Sequence, residues 1–157
     1  MSPRASSWCI VLLLVVVACA DSGPPMALQQ LDGNGVTTWV LRSVDGEAVP
    51  TVVADNDFVR TTVLADTIRL ALDGIGERRY VEHTVSFRAL PPGEATYRRT
   101  ERFTYTVEDG TFSADFECPE FASCIAPPHL VGTLSSDSLV LDRAHYRAPL
   151  RYERVAR

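Results

Sequence analysis

Between Thr96 and Val107 the chain alternates in polarity. Tyr97, Phe103, Tyr105 and Val107 occupy odd positions, while Arg98, Thr100, Arg102, Thr104 and Thr106 occupy even ones. A period of two sorts side chains onto the two faces of a β-strand, one dry and one wet, whereas helical spacing would scatter them. Asp109-Gly110 follows at once, the dipeptide best suited to a two-residue hairpin loop. Pairing Glu108 with Thr111 then sets Val107 opposite Phe112, Tyr105 opposite Ala114 and Phe103 opposite Phe116. All six fall on one face, so the register is self-consistent. An antiparallel sheet is the frame that the rest of the chain must fit.

The same reading extends in both directions. Val59, Thr61 and Val63 share a face, and so do Ile68, Leu70 and Leu72. A tight connection at Ala65-Asp66, with Leu64 opposite Thr67, would bring both sets to one side. From Glu77 to Arg88, Val81, Val85 and Phe87 lie on odd positions, with polar Glu82, Thr84, Ser86 and Arg88 on even ones. After an interruption at Pro127-Pro128, Leu130 to Leu134 and Leu139 to Leu141 form a hairpin across Ser135-Ser136-Asp137-Ser138. A last strand runs from about Leu150 to Val155. The expected fold class is all-β: an antiparallel up-and-down β-barrel of about eight to nine strands, with a β-sandwich as the alternative.

The N-terminus reads as an address. Arg4 precedes an apolar run from Ile10 to Ala18, which at about 1.5 Å per residue is too short to cross a hydrocarbon core of about 30 Å. The run ends in Val16-Val17-Ala18-Cys19, which resembles the lipobox of bacterial lipoproteins. That resemblance implies a signal over residues 1–18, removed before Cys19, whose thiol and new amine are then acylated. An ordinary secretory signal cut at Ala18 or Ala20 is the alternative. Residues 19–36, with Ser22-Gly23-Pro24-Pro25 and Gly33-Asn34-Gly35, read as a lipidated tether, and residues 37–157 as a single barrel domain. In enterobacterial lipoproteins an Asp beside the Cys retains the protein in the inner membrane. Here Ala20 holds that place, which points to the periplasmic face of the outer membrane. The opening Trp39-Val40-Leu41-Arg42-Ser43-Val44-Asp45-Gly46 ahead of a β meander resembles small lipocalin-like bacterial lipoproteins. Lipocalins carry Gly two places before the Trp, where this chain has Thr37.

Chemistry is sparse. All 15 basic residues are arginine, so mechanisms that need a lysine amine are excluded. Against 20 acids the net charge is −5, which gives a nucleic-acid partner no electrostatic support. Cys118 and Cys124 are expected to be disulfide-bonded in an oxidising envelope, with a metal site including His129 as the rival reading. No hydrolase, metalloprotease or phosphate-loop motif occurs, and His83, His129 and His145 are scattered, so no enzyme activity, metal or cofactor is expected. Asp55-Asn56-Asp57 resembles the start of a calcium loop. Arg60 stands where such a loop needs Gly, and an acidic turn is the simpler reading.

One polar constellation falls on an otherwise apolar face: Arg79, His83, Arg99 and Glu101. Placing Phe87 opposite Tyr97 sets His83 against Glu101, Val85 against Arg99 and Arg79 against Tyr105, as a polar anchor in a ligand cavity. A strand end that has left the core, or a bulge that turns these side chains outward, is the alternative. Arg98, Arg102, Glu82 and Arg88 read most simply as a solvated outer face with cross-strand ion pairs, the alternative being an arginine stripe for anionic lipid headgroups or peptidoglycan. The expected function is a lipid-anchored envelope protein whose barrel binds a hydrophobic or amphipathic small ligand. A protein-interaction module, such as an inhibitor or assembly factor, is the alternative.

Overall fold

The computed structural model describes residues 35–88, 91–117, 129–142 and 148–155. They form β1 (Val36–Val44), β2 (Glu47–Ala48), β3 (Thr51–Asp55), β4 (Val59–Ala71), β5 (Ile75–Ser86), β6 (Gly93–Glu108), β7 (Thr111–Phe116), β8 (His129–Leu134), β9 (Ser138–Asp142) and β10 (Leu150–Arg154). From β4 to β10 each strand pairs with the next, β10 returns to β1, and β1 pairs with β4 through Val36–Val40 and Thr67–Ala71. That last seam closes an eight-stranded antiparallel up-and-down barrel. β2 and β3 are additions, hydrogen-bonded to β1 and β4.

The β6–β7 hairpin has the register that its alternation dictates, from Phe103 opposite Phe116 to Glu108 opposite Thr111. Asp109 and Gly110 have φ of 49° and 79°, the pair of left-handed residues that matches the twist of a two-residue hairpin. The Leu134/Leu139 hairpin likewise forms across Ser135–Ser138. Inward side chains fill the barrel: Trp39, Leu41, Ile68, Leu70, Phe103, Phe112, Leu139, Leu141, Leu150 and Tyr152 are all buried. Phe103 meets Phe116 at 5.1 Å between ring centroids, and Tyr105 stacks on Phe112 at 5.7 Å. Each such side chain is worth about 1.5–3 kcal/mol when removed from water, so the lumen is the core of the protein. Thr37 is tied into the wall through its hydroxyl. Its Oγ1 accepts the Trp39 indole N–H at 3.1 Å and donates to the Leu70 carbonyl, across the closing seam.

Two expectations about register are corrected. Ala65-Asp66 is not a hairpin connection. β4 runs straight through it with a bulge between Val63 and Ala65. The extra residue switches the inward set from odd (Val63) to even (Asp66, Ile68, Leu70), the same parity change that a turn would have produced. In the second correction, β5 and β6 pair from Ile75/Thr104 to Ser86/Gly93, so His83 faces Thr96 and Arg78 faces Glu101. β6 begins at Gly93, and the partner of each β5 residue lies five positions earlier than expected, as with Thr96 in place of Glu101 opposite His83. The offset exchanges the faces of β5. Arg78, Tyr80 and Glu82 turn inward and are buried, while Phe87 is exposed on the outside. Gly76 makes this possible at the lower end, where the Phe103 ring lies against its backbone.

The long strands overrun the barrel. β4 pairs with β1 only over Thr67–Ala71, and its first half pairs with β3 instead. β6 meets β7 only from Phe103 onward, so its first half is joined to β5 alone among the described residues. A four-stranded sheet, β3-β4-β5-β6, therefore projects from the upper end. The lower end carries Val36 and the turns at Asp73-Gly74, Asp109-Gly110 and Ser135–Ser138.

Candidate functional site

The four residues expected to line a cavity are not brought together. His83 points outward, with Nδ1 3.2 Å from Thr96 Oγ1 and Nε2 3.7 Å from Glu94 Oε2. Arg79 is also on the outer wall, where its Nε donates to Glu77 Oε1 at 2.6 Å. Glu101 and Arg99 keep to the inward side of β6, and Glu101 accepts from the Tyr80 hydroxyl at 3.1 Å. The His83–Glu101 pair is therefore not made, because the shifted register separates them onto opposite faces. Cys19, Cys118 and Cys124 lie outside the described residues.

The bulge and the shifted register instead assemble a polar layer inside the barrel. Asp66 comes from β4, Arg78 from β5 and Tyr152 from β10, across the lumen. Arg78 Nε and Nη2 donate to Asp66 Oδ2 at 2.8 and 2.6 Å, and the Tyr152 hydroxyl donates to the same oxygen at 2.9 Å. The other oxygen, Oδ1, is buried without a hydrogen bond. Burial pushes the Asp66 carboxyl above its ordinary range; Arg78 and Tyr152 pull it back, and the charge on Glu101 adds to the rise. The Arg78 guanidinium lies 4.9 Å from the Tyr80 ring centroid, and burial beside Glu101 pushes the Tyr80 hydroxyl up to about 12. Glu82 is buried one step further up β5. The layer caps the apolar lumen and ties β4 and β5 to β10. The parity break at Ala65-Asp66 was the sequence signal for it, since a bulge and a turn leave the same trace.

A second cluster lies on the outer wall. His129 Nδ1 is 2.7 Å from Asp115 Oδ1, and Ser113 Oγ is 3.4 Å from His129 Nε2. The connectivity is that of an acyl-transfer relay. However, Ser113 sits mid-strand with ladders on both sides, so the neighbouring amides are committed and none is free to stabilise an oxyanion. The cluster acts as a cross-strand tie. At Asp55-Asn56-Asp57 a turn forms: Asn56 Oδ1 accepts from the amides of Phe58 and Val59, and Asp55 pairs with Arg60 at 2.9 Å. On the projecting sheet Phe58 and Phe87 are exposed, at 58% and 43%. Arg88 lies over the Phe58 ring at 4.3 Å.

Comparison with protein-family models, with curated proteins and with solved structures returned no match to this chain.

Proposed function

We propose that the chain is a lipid-anchored bacterial envelope protein, held through Cys19, in which a solid barrel displays the β3–β6 sheet to a protein partner. The observation that carries this is the filling of the lumen. Ring and aliphatic side chains occupy its lower part and the Asp66–Arg78–Tyr152 layer caps it, which leaves recognition to outer surfaces. The projecting sheet offers exposed Phe58, Phe87 and Val52 beside Arg60 and Arg88, the aromatic–arginine composition of interface anchors. It also offers the first half of β6 as an edge for an added strand. The lipobox supports the anchor, with acyl chains at about 0.8 kcal/mol per buried CH₂ holding it on a bilayer. The residues before Val36 join the barrel at the lower end, so the sheet projects from the end opposite the tether.

A photo-crosslinking residue at Phe58 or Phe87, expressed in the native host, should give a discrete protein adduct, and one at Val140 on β9 should not. Equal labelling from all three positions would sink the interaction reading. Cys19→Ser should move the protein from the membrane fraction to the soluble one, and retention in the membrane would remove the anchor. The second reading is a small amphipathic ligand at the upper end. It is favoured by half-buried Glu101 and exposed Arg99 and Tyr97 above the polar layer. A ligand mass retained in native mass spectrometry of host-purified protein would select it.

A further inference from the structure

The outer wall near the lower end carries a groove of about 270 Å³, lined by Val36, Arg69, Ala71, Ile75, Glu77 and Arg102. Val36, Ala71 and Ile75 make an apolar floor, and Ile75 is half exposed. Arg69, Glu77 and Arg102 stand side by side across β4, β5 and β6. Glu77 gives its carboxylate to Arg79 at 2.6 Å. Arg69 and Arg102 make no ion pair among the described residues. Arg79 and Arg98 lie on the same wall; its acids are Glu77, Glu117, Asp115, Glu94 and Glu108, of which Glu77 is held by Arg79 and Asp115 by His129 at 2.7 Å. The groove also adjoins the point where the tether enters, since Val36 is both its lining and the start of β1.

We propose that this groove is a docking site for an anionic phospholipid, its phosphate held by the Arg69 and Arg102 guanidinium groups above Glu77, whose charge Arg79 offsets, and its proximal chain on the apolar floor. The inference rests on the anchored reading for the presence of a bilayer. The acids Asp73, Glu108, Asp109 and Asp137 at the lower turns disfavour an end-on approach, so the barrel lies on this wall. Guanidinium forks suit phosphate geometry, and basic residues close to an anionic surface add affinity in increments.

The test uses the full chain carrying Cys19→Ser, purified free of membrane, in flotation with vesicles of phosphatidylglycerol or of phosphatidylcholine. It should bind the first and not the second. Arg69→Gln with Arg102→Gln should weaken binding roughly 30-fold, while Arg151→Gln at the other end leaves it unchanged. Inorganic phosphate should displace the protein no better than chloride at equal ionic strength. Equal binding to both vesicles, an unaffected double variant, or selective displacement by phosphate would each overturn the proposal. Circular dichroism of the double variant checks that it is folded. An acyl-free mass for the wild-type chain would instead overturn the anchored reading, and the vesicle result would still decide the groove.

Discussion

The carboxyl of Asp66 is one of the most deeply buried polar groups in the protein. Its cost is met by Arg78 and Tyr152, and the balance makes the pair testable. Asp66→Leu alone leaves the Arg78 charge buried without its carboxylate and should cost about 3–5 kcal/mol in denaturant unfolding. Asp66→Leu with Arg78→Met removes both charges and should cost less than half of that. Equal losses in the two variants would show that the carboxylate–guanidinium contact is not what holds this layer. The pH dependence carries its own sign. The folded-state pKa of Asp66 lies above the unfolded value of about 3.9, so the folded protein keeps a proton that the unfolded chain has released. The contribution of this group is fully present below the unfolded value and is lost as pH rises through the folded one. Wild-type stability minus that of the double variant should therefore fall as pH rises from about 4 toward neutrality. A difference that grows over that interval would show the carboxyl is held ionised instead.

At the scale of elements, the hairpins were legible and the long strands were not, for a physical reason. Two-residue turns fix register locally, so Asp109-Gly110 determined every pair from Glu108/Thr111 to Phe103/Phe116. β5 and β6 are joined by a longer connection, and there the apolar odd positions Val81, Val85 and Phe87 suggested the wrong inward face. What decides the register is a contact that hydropathy does not encode. Gly76 lies opposite Phe103, and a Cβ there would stand 2.0 Å from the ring's Cε2. Alanine ordinarily suits a strand better than glycine. Gly76→Ala should nevertheless destabilise the protein by several kcal/mol, on the scale of core overpacking at its upper end. Adding Phe103→Leu should recover part of the loss. A Gly76→Ala variant as stable as the parent would mean that the ring is not seated on this backbone. The same limit applies to β4: alternation revealed the change of face after Val63, but a bulge and a turn change the face identically.

At the scale of the molecule, closure depends on β1 finding β4 across the excursion through β2 and β3, a non-local pairing that no local pattern announces. The fold class was legible because strands in consecutive hairpins can bury one face in few ways, whereas the projecting sheet follows from how far β4, β5 and β6 outrun their neighbours. That overrun divides β6 into two regimes. From Phe103 to Glu108 it is held by β5 or the turn beside it on one side and by β7 on the other, with Phe103 and Tyr105 in the core. From Gly93 to Glu101 it is held by β5 alone among the described residues, with mostly exposed side chains. Local opening should then cost much less in the first half than in the second. In hydrogen exchange followed by NMR, alternate amides from Glu94 to Glu101 should exchange fast, as the free row of an edge strand, and the intervening ones at an intermediate rate. Amides from Phe103 to Val107 should be the slowest of the strand. A partner that adds a strand would slow the fast row and leave the second half unchanged. Uniform protection along the whole of β6 in the free protein would show that the edge is already occupied, and the projecting sheet would then have to bind through its aromatic face alone.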